Sequence, residues 1–298
     1  MKSVKVISKL LSNALNTDLN NIQAIQFVMP PSRNPVWYCR VAGYPAPIYF
    51  KLQSRELLSF SVTEEAEVLT LLKDIRIMVP RIITSGVMGK DSYLITSELP
   101  GRPNTCPSGG ARRVFFKEVI SWLSLFQAQI QILPLLEKRL RRYVGWYAPN
   151  FDPILFATGE VKRLSAYLGR QAAREIECQL GILSLHSRGA PAREVIHGSI
   201  AQHNLLTDGD RLSGVIDFEG TRIGDLMFDV AGYGINLFDT QGPVAARLWF
   251  KVCKDTYGEE RICYWAQGFI IALLLSRITT TKKAKSLLYI REMFSLCN

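Results

Sequence analysis

Apolar and polar residues alternate with a period of two along much of the first third of the chain, and a helical period takes over downstream. Alternation over Ile22 to Val28, Val36 to Val41 and Ile48 to Leu52 predicts three strands. The polar turn Met29-Pro30-Pro31-Ser32-Arg33-Asn34-Pro35 separates the first two, and Gly43-Tyr44-Pro45 the second and third. Ahead of them, Met1 to Leu10 carries lysines inside an apolar run and reads as an amphipathic helix. A helix is expected over Val62 to Leu72, with Ala66, Leu69 and Leu72 as apolar positions and Glu64, Glu65 and Glu67 in its first half. Short strands at Arg81 to Ile83 and Ser92 to Thr96 flank a Gly86–Gly89 turn, and Glu98-Leu99-Pro100-Gly101-Arg102-Pro103 breaks the pattern. Beyond it the periodicity predicts helices at about 113–142, 160–186, 243–256 and 259–276, interrupted by the region 195–217. The expectation is an α+β chain: a small β-rich lobe over 1–97, a hinge at 98–103 and a larger helical lobe over 104–298.

Composition adds limits. With 298 residues, 48% of them hydrophobic, the chain can bury a substantial core. The net charge of +10 suits an anionic partner, but the basic residues are dispersed. Their densest cluster, Lys138, Arg139, Arg141 and Arg142, precedes Tyr143, Trp146 and Tyr147. Leu135, Leu136 and Leu140 run through it as an apolar seam, so it reads as the solvated face of a helix, and nucleic acid is not expected as a partner. Six scattered cysteines without a CxxC pair read as free thiols in a reducing compartment. The N-terminus lacks a signal-peptide cleavage pattern, and the longest apolar run, Phe269 to Leu275, is far short of the roughly 20 residues that span a bilayer. The expectation is a soluble, cytoplasmic protein with no membrane span.

The chemistry concentrates in Val195-Ile196-His197-Gly198-Ser199-Ile200-Ala201-Gln202-His203-Asn204-Leu205-Leu206, followed by Gly214-Val215-Ile216-Asp217-Phe218-Glu219. An amide follows a loop residue by five positions, and a carboxylate ends a second apolar run. Kinase-type phosphoryl transfer uses that layout, with the amide and the carboxylate both on Mg²⁺. Where such a loop carries the Asp that takes the acceptor's proton, this chain has Ser199.

With these residues the chain resembles the aminoglycoside phosphotransferase and choline kinase branch of the protein-kinase-like fold, most specifically between His197 and Asp229. The resemblance implies a bilobal fold, ATP or GTP with Mg²⁺ as cofactors, and transfer of a phosphoryl group to a hydroxyl. It makes Asn204 and Asp217 the metal-binding pair. For Glu219 a second metal contact and a structural hydrogen bond stand level. Lys51 matches the strand lysine on the nucleotide phosphates, with Glu65 as its partner and Glu64 or Glu67 as register alternatives. The resemblance also implies that Glu98 and Leu99 offer backbone groups to the base. Pro31-Ser32-Arg33-Asn34-Pro35 contains no glycine, and Ser32 and Asn34 are the groups there that touch phosphates. Asp225 and Asp229 are assigned to helix capping and bracing of the catalytic loop. His197 is read as orienting backbone and is rejected as a general base, while His203 is the histidine considered for rescue.

Serine is no base near neutral pH, so Ser199 implies impaired turnover, by the 10²–10⁴-fold that general base catalysis typically supplies. Three readings stay open: an inactivated kinase, a kinase using another base or a substrate group, and a nucleotide-binding pseudokinase or binding module acting by partner contact. From Ile235 onward nine Lys/Arg stand against five Asp/Glu. A polycationic aminoglycoside would favour the reverse, so a neutral or anionic hydroxyl-bearing small molecule or peptide is expected. Tyr143, Trp146, Tyr147, Phe151 and Phe156 are either lining of an acceptor pocket or, more simply, core.

Overall fold

A computed structural model describes residues 4–28, 34–54, 61–73, 77–103, 106–129, 132–139, 151–186, 193–277 and 283–294. The chain forms two compact units. The first takes Met1–Arg102, Leu206–Gly209 and Ser213–Thr221, and the second takes Pro103–Leu205, Asp210–Leu212 and Arg222–Asn298. The units are therefore not two consecutive stretches, and the segment that ends in Asp217 and Glu219 belongs to the first.

The first unit is a five-stranded antiparallel sheet with helices α1 (Val4–Leu15) and α2 (Val62–Leu72). Its strands are β1 (Ile22–Phe27), β2 (Val36–Val41), β3 (Ile48–Ser54), β4 (Ile82–Met88) and β5 (Asp91–Ser97), in the order β1-β2-β3-β5-β4. Alternation decides the faces. Trp37, Cys39 and Val41 of β2 and Ile48, Phe50 and Leu52 of β3 are buried in one cluster with Ile7 and Leu11, the i, i+4 pair of α1. Lys51, between Phe50 and Leu52, is turned to the opposite face by the same alternation. It shares that face with its cross-strand partner Leu94, and α2 contacts both β3 and β5. The apolar positions of α2 are buried together with Glu65, whereas Glu64 is half-buried and Glu67 exposed.

The second unit is mainly helical: α3 (Gly109–Gln127), α4 (Leu133–Arg139), α5 (Pro153–Leu168), α6 (Arg170–His186), α7 (Met227–Gln241), α8 (Pro243–Tyr257), α9 (Gln267–Arg277) and α10 (Lys283–Phe294). Phe116, Tyr233 and Trp249 meet edge to face at 4.9–6.2 Å and join α3, α7 and α8 in its core. The strands β7 (Glu194–Ile196) and β10 (Arg222–Gly224) pair antiparallel. The short strands β6 (Arg102–Pro103), β8 (Leu205–Asp208) and β9 (Arg211–Val215) complete the element order.

Several expected helices are divided. The one at 113–142 is α3 and α4. The one at 160–186 begins earlier, because Asp152 Oδ1 accepts from the Ile154 and Leu155 N–H groups and Pro153 occupies the first helical turn. It breaks at Gly169, whose φ of +86° ends α5. A π-helical turn, Arg261–Ala266, precedes α9. Helix α7 was not foreseen: Gly232 and Gly234 weaken its local signal. A Cβ on Gly234 would run into the Phe250 ring, so tight packing against α8 explains that glycine. Cys263 is disulfide-bonded, which corrects the reading of six free thiols; Cys39, Cys106, Cys178 and Cys253 are free. Among the described residues no helix is long and apolar enough to cross a membrane. Phe151 and Phe156 are half-buried, and Phe151 packs on Phe156 and on Phe269. Tyr143, Trp146, Tyr147, Arg141, Arg142 and the side chains of Lys138 and Arg139 lie outside the described residues.

Candidate functional site

Lys51 is the centre of a carboxylate cluster in the first unit. Its Nζ lies 2.7 Å from Glu65 Oε2, 2.5 Å from Asp217 Oδ1 and 3.0 Å from Glu219 Oε2. Glu65 is the α2 glutamate that meets the lysine, because it alone of the three sits on the buried face of the helix. Its second oxygen accepts the Phe218 N–H at 3.1 Å, so one side chain ties α2 to both β3 and the Asp217 turn. Burial by itself would lower the Lys51 pKa. Glu65, then Asp217 and Glu219, outweigh it and hold the ammonium well above its ordinary value. Burial pushes Glu65 upward; Lys51 pulls it down and Asp217 pushes it up again, for a net rise. Three carboxylates thus surround a single ammonium, and the surplus charge is negative.

That surplus matches a divalent cation. The ligand oxygens of Glu65, Asp217 and Glu219 lie within 4.8 Å of one another. All are hard oxygen donors, the kind Mg²⁺ takes in small numbers alongside water and phosphate oxygens. Asn34 borders the cluster: its Nδ2 donates to Glu219 Oε2 at 2.6 Å, and its Oδ1 is buried without a hydrogen-bond partner. The residues present therefore fit Mg²⁺.

Asp217 and Glu219 converge by a different route from the one expected. The reading placed them on one side of an extended segment, but Phe218–Gly220 is a 3₁₀ turn, and Asp217 before it is left-handed at φ +69°, ψ +65°. Aspartate is among the few side chains that tolerate this region, typically at a cost of about 1–3 kcal/mol. The turn brings the Phe218 N–H to Glu65 and both carboxylates to Lys51.

Asn204 and Ser199 belong to the second unit. The Asn204 Nδ2 donates to the Ser199 carbonyl at 2.9 Å, so the amide nitrogen faces that carbonyl and Oδ1 is turned away from it. Pairing of Ile196 with Arg222 fixes where the loop begins. Asp229 then accepts the N–H of His197 at 2.7 Å and of Gly198 at 2.8 Å, a convergence that Gly198 permits at φ +80°. Burial raises the Asp229 pKa to about 6, against the pull of Arg222 and of those two N–H groups. Asp225 Oδ1 accepts the Met227 N–H at 2.8 Å at the start of α7. Arg261 reaches both Asp225 and Glu194, and Glu194 in turn accepts the Leu226 N–H.

Other expected residues stand as follows. The Glu98 N–H is given to Pro47 O at 3.2 Å, so at Glu98 the backbone donor is already used. Leu99 packs against Gly214. Asn34, expected to touch phosphate, gives its amide nitrogen to Glu219. Ser32 lies outside the described residues. Among the described residues, the histidine ring that meets Ser199 Oγ is His197, at 3.2 Å, and not His203. Sequence reasoning missed both the Asn34–Glu219 and the His197–Ser199 contact; only the i, i+2 spacing of the second hinted at it.

The decisive comparison is with protein families: the chain matches the Phosphotransferase enzyme family over residues 32–262. This chain belongs to the phosphotransferase enzyme family. Three solved structures illustrate the fold of this phosphotransferase. One is a thermostable mutant of aminoglycoside phosphotransferase APH(4)-Ia with ADP and hygromycin B, 13% identical, with 98% of this chain and 96% of that chain covered and a TM-score of 0.62. Another is wild-type aminoglycoside 2'-phosphotransferase-IIIa with GDP, at 15%, 100%, 97% and 0.61. The third is spectinomycin phosphotransferase APH(9)-Ia with ADP and spectinomycin, at 12%, 99%, 98% and 0.62. At such identities the likeness concerns the fold alone, which is protein-kinase-like and bilobal, a β-rich unit and a larger helical one. No curated protein matches the sequence of this phosphotransferase.

Proposed function

We propose that the protein is an ATP- or GTP-dependent, Mg²⁺-dependent phosphotransferase acting on a hydroxyl of a small molecule or peptide. The observation that carries this reading is the Lys51 ammonium held at 2.5–3.0 Å by Glu65, Asp217 and Glu219. A lysine so held is aimed rather than free, which suits a group that grips nucleotide phosphates. Glu65 keeps Lys51 in place and Asp217 and Glu219 hold the cation, with Asn204 the amide that the family pattern pairs with them. When bound, Mg²⁺ would neutralise charge on the phosphate oxygens. Glu98 and Leu99 are the backbone segment proposed to meet the base, Leu99 through its N–H and Glu98 through its carbonyl only.

For the acceptor, the basic excess after Ile235 supports a neutral or anionic hydroxyl compound. The structural neighbours carry hygromycin B and spectinomycin, and at 12–13% identity those acceptors do not transfer to this chain. Ser199 favours a second reading, a nucleotide-binding protein without turnover. Calorimetric titration of MgATP and MgGTP into the wild type and Asp217→Asn tests the site: Mg²⁺-dependent binding is expected in the wild type and its loss in the variant. Equal binding by both, or none by either, would sink the assignment. Phosphorylation of hygromycin B in preference to neutral polyols and anionic sugars would overturn the acceptor class.

A further inference from the structure

We propose that Ser199 and His197 form a two-residue proton relay that performs the task of the absent aspartate. The inference rests on the phosphotransferase reading above. Ser199 Oγ lies 3.2 Å from His197 Nδ1, within hydrogen-bond reach. A serine hydroxyl alone cannot remove a proton at neutral pH. Backed by an imidazole nitrogen it can give up its own proton while it takes another, the arrangement by which histidine activates serine nucleophiles.

The step balances without a further reactant. The acceptor oxygen forms a bond to the γ-phosphorus. The bond from that phosphorus to the bridging oxygen breaks, and its electron pair leaves with the nucleoside diphosphate. The acceptor's proton passes to Ser199 Oγ, and the Ser199 hydroxyl proton passes to His197 Nδ1. Serine ends as serine, imidazole as imidazolium, and the proton returns along the same path once product has left.

The surroundings suit both ends of the relay. Ser199 is half-buried, whereas His197 is wholly buried. The His197 ring lies against Trp122 at 5.9 Å and Phe126 at 6.2 Å between centroids. Both contacts are edge-on, and neither aromatic ring competes for the proton. Asp229 holds the backbone N–H groups of His197 and Gly198 and so fixes the ring relative to the loop. His197 acts only through Ser199, which makes it a positioning and proton-holding residue behind the hydroxyl.

The test is release of phosphate from MgATP with water as acceptor, together with nucleotide affinity and melting temperature. It compares the wild type with His197→Gln, Ser199→Ala, Ser199→Asp and the double variants. The relay requires turnover in the wild type. His197→Gln and Ser199→Ala should each lower kcat by about 10²-fold or more, with KM and nucleotide affinity unchanged. The His197→Gln/Ser199→Ala double variant should be no slower than either single one. Ser199→Asp should restore turnover in the His197→Gln background, because a carboxylate needs no imidazole behind it. Wild-type turnover in either single variant overturns the relay. So does a loss in His197→Gln that Ser199→Asp leaves unrepaired, the mark of a purely structural histidine. Ser199→Ala leaves the buried ring untouched and guards against a folding defect. A wild type that binds MgATP but turns over only as Ser199→Asp overturns the relay and leaves the phosphotransferase reading intact. Absence of nucleotide binding in every form overturns the reading itself.

Discussion

Asn34 Nδ2 donates to Glu219 Oε2 at 2.6 Å across 185 positions of sequence. Asn34, two residues before β2, thereby steadies one carboxylate of the cluster, and its own Oδ1 is buried without a partner. Hydrogen bonds to charged groups contribute about 1.5–3 kcal/mol. Asn34→Ala should therefore weaken Mg²⁺-dependent nucleotide binding by roughly tenfold, taking the low end because Asn34 is half-buried. Calorimetry with and without Mg²⁺ checks it; an unchanged affinity would remove Asn34 from the site.

Glu65 carries two loads, the Lys51 ammonium and the Phe218 N–H. Removing one partner of a buried ion pair costs about 3–5 kcal/mol, but Lys51 keeps Asp217 and Glu219. Glu65→Ala is expected to lose about 2 kcal/mol of stability, read from urea unfolding. It should also lose nucleotide affinity, whereas the Glu67→Ala change on the exposed face of α2 should do neither.

Asp217 separates chemistry from backbone strain. Its left-handed φ of +69° disfavours alanine by about 1–2 kcal/mol and leaves glycine free. Both Asp217→Gly and Asp217→Ala should abolish Mg²⁺-dependent binding. In thermal melts the glycine variant should be the more stable of the two, the reverse of the usual order of these residues. Equal melting temperatures would show that the turn relaxes.

Asp229 makes stability depend on pH. Its folded pKa is raised from 3.8 to about 6, mainly by burial. A raised pKa stabilises the fold fully below the unfolded value, and that contribution is lost as pH climbs through about 6. Asparagine does not titrate, so wild-type stability measured relative to Asp229→Asn should fall by roughly 2 kcal/mol between pH 4 and 7. Urea midpoints at intervals of one pH unit would reveal the slope. A constant difference would mean that folding leaves the Asp229 pKa unshifted.

The legible parts of this molecule are those where local period and burial agree. β2 and α2 lie at the positions their patterns gave, because alternation places Trp37 and Cys39 on one face and helical spacing buries Ala66, Leu69 and Leu72. The Lys51–Glu65 pair was implied by the family resemblance with Glu64 and Glu67 as alternatives, and burial of Glu65 on the inner face of α2 selects it. What stayed hidden depends on distant partners. Nothing local in Gly232 or Gly234 announces α7, whose packing against Phe250 rewards the missing side chain. The loss of strand alternation at Asp217 follows from a left-handed residue that a sequence does not display. His197 was read as orienting backbone, and the contact of its ring with Ser199 Oγ was not legible.

The return of residues 213–221 to the first unit has a temporal side. When Arg102 leaves the ribosome, β3 and α2 are present, and Lys51 and Glu65 can neutralise each other as a pair. Asp217 and Glu219 are still unsynthesised, so the early product has no surplus negative charge and no reason to attract a divalent ion. The proposed metal affinity would therefore arise only once residues 206–221 have joined the first unit. A fragment ending at Arg102 should accordingly show no Mg²⁺ uptake by calorimetry until a peptide spanning 206–221 is supplied.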